Sequence, residues 1–154
     1  YRSDRLAKAF AAYGVPDRLD AATAARRWQE VRDLEPLVEP RQRAVWRLSV
    51  PPRTGASLVG RIKSGCDCQA LYDWSGGLIW LAVDETDDAA AALIRAAVHE
   101  TGGHATLIRG SGELRGSIAV FPPEPMTVAR LTAGIKASFD PKRLLNPGLM
   151  HPGV

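Results

Sequence analysis

Two apolar, aromatic-rich runs, residues 69–74 and 78–83, are separated only by Ser75-Gly76-Gly77. Glycine accepts the positive backbone angles that a tight turn requires, so this spacing predicts a β-hairpin and commits the chain to antiparallel pairing. The neighbouring segments supply the rest of a sheet. Residues 44–50 read as a strand with Trp46, Leu48 and Val50 on one side, ended by Pro51-Pro52. Residues 55–63 predict a short helix that buries Leu58 and Ile62. Beyond the hairpin, a helix is expected to start at a Thr86 or Asp87 cap, with acidic residues in its first turn, Ala90, Leu93, Ala97 and Val98 on one face, and Gly102-Gly103 as its stop. Residues 104–109 form a last strand. Strand, helix, strand, strand, helix, strand is the split βαβ order (βαββαβ) of an α+β, ferredoxin-like domain with an antiparallel sheet. Its two helices cover one face of that sheet. The other face must be covered by further helices, meet a partner, or serve as a working surface.

The flanks read as helical. Ser3 is placed to cap a helix bearing Leu6, Phe10 and Tyr13 and ended by Gly14, and Asp20 to cap a second bearing Ala24, Trp28 and Val31 and stopped by Pro36. After an irregular stretch over residues 111–125, Pro125 opens a closing helix whose stripe is Val128, Leu131, Ile135 and Phe139. The expected organisation is a helical N-terminal extension packing on the core over residues 1–40, a ferredoxin-like core over 41–110, and a linker, closing helix and interdomain tail over 111–154.

With 45% hydrophobic and 24% charged residues, the 154-residue chain falls among globular sequences rather than disordered ones. The net charge of +3 is uneven: residues 1–63 hold 13 Lys or Arg against 7 Asp or Glu, and residues 64–154 hold 7 against 10. Basic residues are scattered and form no contiguous block, which argues against a nucleic-acid partner. No apolar run approaches the roughly 18–20 residues of a membrane helix, and the opening YRSDRLAKAF places charges where a signal peptide needs an apolar centre. The expectation is a cytoplasmic chain without a membrane span. Cys66 and Cys68 are one residue apart with no second pair, a pattern of free thiols in a loop rather than of a zinc site. His99 and His151 have no cysteine and carboxylate at ligand spacing, so no metal is expected.

Four strings carry a resemblance. Phe139-Asp140-Pro141 followed by Leu144-Leu145-Asn146-Pro147-Gly148-Leu149-Met150 resembles the C-terminal signature of the FAD-linked oxidases, the family of vanillyl-alcohol oxidase, D-lactate dehydrogenases and glycolate oxidase subunits. Trp46-Arg47-Leu48-Ser49-Val50-Pro51-Pro52, Tyr72-Asp73-Trp74-Ser75-Gly76-Gly77-Leu78-Ile79-Trp80 and Gly102-Gly103-His104-Ala105-Thr106-Leu107 are similar to one branch of the FAD-binding subunits of bacterial glycolate oxidases. Together they extend the resemblance from about Trp28 to the end. It implies a cap, on the substrate side of the protein, that closes over the isoalloxazine ring of FAD held by an N-terminal domain, with the C-terminal tail running back onto that domain. It also implies work alongside a related flavin subunit and an iron-sulfur subunit in oxidising glycolate, a small 2-hydroxy acid, to glyoxylate. A glycine-rich pyrophosphate loop is missing from the sequence, Gly55, Gly60 and Gly65 being too scattered to build one. The chain alone is therefore expected to hold no FAD tightly and to be inactive; the parent is expected to be an FAD-dependent oxidoreductase subunit.

Oxidation of a 2-hydroxy acid needs a cation for the carboxylate, a base for the hydroxyl and an acceptor for the hydride. His104, after the diglycine, is the candidate base. Arg109, at the end of the last strand, and Arg47, on the first, are the candidate cations, Arg47 having the opposite side parity from Trp46 and so also able to face water. Strand alternation places Tyr72 and Trp74 on one face, either in the core or against the flavin or the missing domain. Asn146 and Gly148 are assigned to the flavin side of the interdomain joint by the resemblance, and Leu144 or Leu145 is expected to be buried while residues 150–154 stay loose. Two other classes remain in play: a small-molecule regulatory module, and a single-stranded nucleic-acid binder that stacks bases on Trp46 and Trp80.

Overall fold

The computed structural model describes residues 1–151. The chain forms two units, Tyr1–Pro36 and Leu37–Val154. The first contains helices α1 (Arg2–Phe10) and α2 (Ala21–Arg32). Asp20 caps α2 as its position suggests, its carboxylate accepting the Thr23 N–H at 2.8 Å. Ser3 does not cap α1: the helix begins two residues closer to the terminus, with Tyr1 at the N-cap and Arg5 N–H bonding the Tyr1 carbonyl, and Ser3 lies inside it.

In the second unit, strands β1 (Ala44–Ser49), β2 (Cys68–Asp73), β3 (Leu78–Val83) and β4 (His104–Arg109) alternate with helices α3 (Gly55–Gly65) and α4 (Ala91–Thr101). They form an antiparallel sheet in the order β2-β3-β1-β4, with β1 paired to both β3 and β4. This is the ferredoxin-like arrangement, in which the β3 strand splits the β1–β2 pair. Alternation then divides the residues between faces. Trp46 and Leu48 of β1, Ile79 and Leu81 of β3, and Ala105 and Leu107 of β4 all point beneath the helices, where Leu58, Val59 and Ile62 of α3 and Ile94 and Val98 of α4 meet them. Full burial of each large aliphatic side chain there contributes roughly 1.5–3 kcal/mol. Trp46 is completely buried, and its indole N–H donates to the Ala89 carbonyl at 3.1 Å.

That contact bears on where α4 begins. Asp87, Ala89 and Ala90 all have positive φ, so the backbone between Thr86 and Ala90 turns rather than winds, and neither Thr86 nor Asp87 caps the helix. Asp88 serves the helix N-terminus instead, accepting the Ala92 N–H at 2.8 Å. The buried side is correspondingly Ala91, Ile94, Ala97 and Val98, with Leu93 half-buried beside it. The far end follows expectation: Gly102 at φ +78 closes a Schellman turn, with Gly102 N–H to His99 and Gly103 N–H to Val98.

Residues 111–125 are less irregular than their sequence suggests. Ser111 caps a short helix, α5 (Gly112–Ser117), by accepting the Leu114 N–H, and Leu114 is buried in the core. The closing helix is α6 (Met126–Phe139), and it buries no residue: Val128, Leu131, Ile135 and Phe139 are all exposed.

Gly103 sits at the hinge between α4 and β4, where an added methyl would lie 2.3 Å from the Ser49 carbonyl oxygen and 2.6 Å from Val50. Gly103→Ala is expected to force β4 away from β1 and to lower the unfolding free energy by about 1–3 kcal/mol, read from urea denaturation. An unchanged midpoint would show that the two strands do not approach this closely.

Candidate functional site

The opposite face of the sheet is laid out in three rows by the register. The first row is Asp73, Leu78, Ser49 and His104; the second is Leu71, Trp80, Arg47 and Thr106; the third is Gln69, Ala82, Val45 and Arg109. Leu37, from the turn Glu35–Leu37, packs on Val45 and Ala82, with Leu71 and Trp80 half-buried against them. The cluster accounts for the third row and part of the second.

Arg109 reaches this face by a bulge. β1 pairs Trp46 with Leu107 but Val45 with Arg109, so Ile108 is an extra residue and Arg109 swings from the core side to the outer side. Its guanidinium is committed there: Nε donates to the Arg43 carbonyl at 3.0 Å, Nη1 to Val38 at 3.0 Å and Nη2 to Leu37 at 2.9 Å. Arg109 thereby ties the Leu37 turn to the sheet. It also lines a cleft of about 590 Å³ with Arg41, Arg43, Asp84, Glu85 and Ser111, where Arg43 pairs with Asp84 and Glu85 accepts the Ser111 N–H. Arg41 pairs with Glu39, so each of these charged groups already has a partner.

Arg47 has a different environment. It stands between Trp80 and Thr106 in the second row, half-buried, with its guanidinium carbon 5.9 Å from the Trp80 ring centre and 6.0 Å from that of Trp74. The indoles attract the cation without occupying its N–H groups. Ser49 is two residues along β1 on the same side, directly opposite His104. Opposed side chains on neighbouring antiparallel strands have Cβ atoms about 5 Å apart and diagonal ones about 7–8 Å. Arg47, Ser49, Thr106 and His104 therefore form one patch of donors, whereas His104 and Arg109 lie at opposite ends of β4, about 16 Å apart along an extended strand. The patch can recognise an anion. Its carboxylate neighbour is Asp73, at the far side of the first row, which accepts the Trp74 N–H at 2.7 Å.

Trp74 does not share a face with Tyr72. Tyr72 pairs with Ile79 on the helix-covered side, at the β2 edge. Trp74 leaves the strand: with φ +48 it begins a left-handed turn that continues through Ser75 at +56 and Gly76 at +91, while Gly77 returns to φ −82. The positive angles thus fall one residue or more earlier than the diglycine suggests. Left-handed backbone costs a residue with a side chain roughly 1–2 kcal/mol. Here it turns the Trp74 ring, 64% exposed, onto the side of Arg47. Trp46 and Trp80 point to opposite faces, so the pair that would have stacked successive bases is not available as a pair.

The tail is organised around a buried carboxylate. Asp140 ends α6 and, at 6% exposure, accepts the N–H groups of Leu144 and Leu145 at 2.9 Å each and pairs with Lys136 at 2.9 Å. Lys136 also bonds the Leu145 carbonyl. This polar clamp makes leucine burial unnecessary for holding the turn, and Leu144 and Leu145 are 74% and 63% exposed, contrary to expectation. Asn146 and Gly148 have φ of +45 and +71 and shape the next turn, closed by the Leu149 N–H to the Asn146 carbonyl. His151 lies against Glu124 and Phe121; of the segment expected to be loose, residues 152–154 lie outside the described residues.

Cys66 and Cys68 are free, but Cys68 is buried at the start of β2, where burial pushes its thiol up to about 11, and Cys66 is half-buried beside it. Among the described residues no group of three or more His, Cys, Asp or Glu is placed to hold a metal, and no helix is long and apolar enough to cross a membrane. No family model, curated protein or solved structure matches the chain.

The Leu145 and Leu144 N–H groups hold the Asp140 carboxyl down to about 2, against an ordinary value of 3.8. A depressed carboxyl stabilises the fold above its unfolded pKa, and that contribution is lost as pH falls from about 4 through about 2. The amide signals of Leu144 and Leu145 in ¹⁵N NMR are expected to titrate with a midpoint near 2. A midpoint near 4 would show that the clamp is not formed in solution.

Proposed function

We propose that this chain is the cap portion of an FAD-linked 2-hydroxy acid oxidase or dehydrogenase, with the outer sheet face turned toward a flavin supplied by a glycine-rich domain. The observation that carries the reading is the donor patch of Arg47, Ser49, Thr106 and His104 beside two indoles on the face that α3 and α4 leave free. The strings that resemble the FAD-linked oxidases support it, because each contributes to this face or to the tail: Trp46 to Pro52 supplies Arg47 and Ser49, Tyr72 to Trp80 supplies both indoles, and Gly102 to Leu107 supplies His104 and Thr106.

The residues present suit the ring side of the cofactor. Trp74 and Trp80 offer flat apolar surface and Arg47 a positive charge, whereas the scattered Gly55, Gly60 and Gly65 do not make a glycine-rich pyrophosphate loop, so in this reading the pyrophosphate is held by the other domain. A flavin bound on this side would supply the hydride acceptor. His104 is the group placed to take the proton of a substrate hydroxyl, being exposed at the start of β4 with Ser49 opposite. Asp140, by fixing the turn that presents Leu144, Leu145 and Asn146, preshapes the tail for the FAD domain. The 2-hydroxy acid glycolate fits the resemblance as substrate, with glyoxylate as product, and a related flavin subunit and an iron-sulfur subunit as partners for the electrons.

In the FAD-containing parent, His104→Ala is expected to slow glycolate-dependent bleaching of the flavin about 10²–10⁴-fold, the usual contribution of a positioned base. The purified chain itself should be folded and colourless. Near-stoichiometric FAD retained by the chain through gel filtration, or an unchanged bleaching rate in the variant parent, would overturn the assignment.

A further inference from the structure

We infer that Arg47, assisted by the Thr106 hydroxyl beside it, is a preformed fork for the carboxylate of a small organic acid. The inference deepens the reading of this face as a substrate-side cap, yet it concerns a site that the chain carries by itself.

Arginine is the side chain suited to the task. Its planar guanidinium offers parallel N–H groups that match the two oxygens of a carboxylate, and such bidentate pairs are among the strongest polar contacts in proteins. Among the half-buried arginines, Arg47 differs in what its neighbours leave free. Arg109 spends Nε, Nη1 and Nη2 on backbone carbonyls, Arg43 pairs with Asp84, and Arg95 donates to the Ala119 carbonyl. Arg47 is instead positioned by Trp74 and Trp80, which restrict its motion through their ring faces and accept none of its hydrogen bonds. Restricting a long side chain before a ligand arrives lowers the entropy lost on binding. Its surroundings also reduce the charge's hydration, since Arg47 is half-buried and flanked by indoles, and that strengthens attraction for an anion.

The surroundings favour a carboxylate over a larger anion cluster. Thr106 is the β4 residue opposite Arg47, close enough for its hydroxyl to share the same bound oxygen, and Ser49 and His104 occupy the adjacent row. One strong cation, two hydroxyls and an imidazole are the complement of a singly charged acid with a hydroxyl near its carboxylate. Asp73 is the acidic group of the two rows, and it lies two strands away from Arg47, across Leu78 and Trp80. It does not neutralise the fork.

The test uses the chain without any cofactor. Trp74 and Trp80 report directly on Arg47, so tryptophan fluorescence is titrated with sodium glycolate and sodium acetate, with sodium chloride at matched ionic strength as the reference. A saturable change with both carboxylates that chloride does not reproduce is expected. Arg47→Met should weaken it at least about tenfold, and Arg47→Lys, which keeps the charge but loses the planar fork, should recover only part of it. Thr106→Val should weaken glycolate and acetate binding by a smaller factor, and it provides a second variant that leaves the Trp–Arg–Trp stack in place. Circular dichroism confirms that each variant is folded. No saturable response in the wild-type chain, or an equal response in folded Arg47→Met, would overturn the inference. The outcome is separable from the flavin reading: Arg47-dependent carboxylate binding in a protein whose parent holds no flavin would sink that reading alone, and a glycolate-reducible parent flavin with no carboxylate response at Arg47 would sink this inference alone.

Discussion

The pairing of β1 with both of its neighbours is the constraint on which the rest depends. Because successive side chains alternate, a single register decides at once that Trp46 and Leu48 enter the core and that Arg47 and Ser49 face outward. β1 has little freedom to slip. Trp46 is locked on the core side by packing, by its hydrogen bond to Ala89 and by Arg95, whose guanidinium lies 5.4 Å from the ring centre while it also bonds the Ala119 carbonyl. A shift by one residue would expose this tryptophan and bury Arg47. The donor patch is thus held in place by apolar packing on the other side of the same strand.

Much of this was legible in the sequence because period and punctuation agree. Residues 46–50 alternate between apolar and polar, the diglycines at 76–77 and 102–103 mark chain reversals, and the bounds of β4 coincide with residues 104–109. The ferredoxin-like order followed from these features. The parts that were not legible depend on backbone states that residue types do not announce. Left-handed angles at Asp87, Ala89 and Ala90 delay α4, and left-handed Trp74 and Ser75 carry an indole from the face of Tyr72 to that of Arg47. The extra residue at Ile108 turns Arg109 outward and into a set of carbonyls that its sequence position could not reveal. Arg47 was visible as a cation on the first strand; its freedom from partners and its place between two indoles required the register of three strands.

The closing helix and tail illustrate a different limit. Val128, Leu131, Ile135 and Phe139 have the spacing of a buried stripe, yet α6 buries none of them, and Leu144 and Leu145 also face outward. Periodicity states that a face is apolar without stating what covers it. The polar side of the same segment explains its shape: Asp140 gathers two backbone N–H groups and Lys136, so the tail is a formed hook whose hydrophobic residues are displayed. This fits the proposed role of the tail toward an FAD domain, and it separates holding the turn, which polar contacts accomplish, from engaging a partner, which the leucines are free to do.

The division of side chains between the two faces is measured directly by nuclear Overhauser contacts of the indole rings. The register predicts contacts from Trp80 to Arg47 and from Arg47 to the Thr106 methyl, with Trp46 in contact with Ala89 and the α4 side of the core. Contacts from Trp46 to Thr106 or His104, or from Trp80 to the buried α3 residues Leu58 and Ile62, would place β1 or β3 one residue out of register. The donor patch, and the functional reading built on it, would then be contradicted.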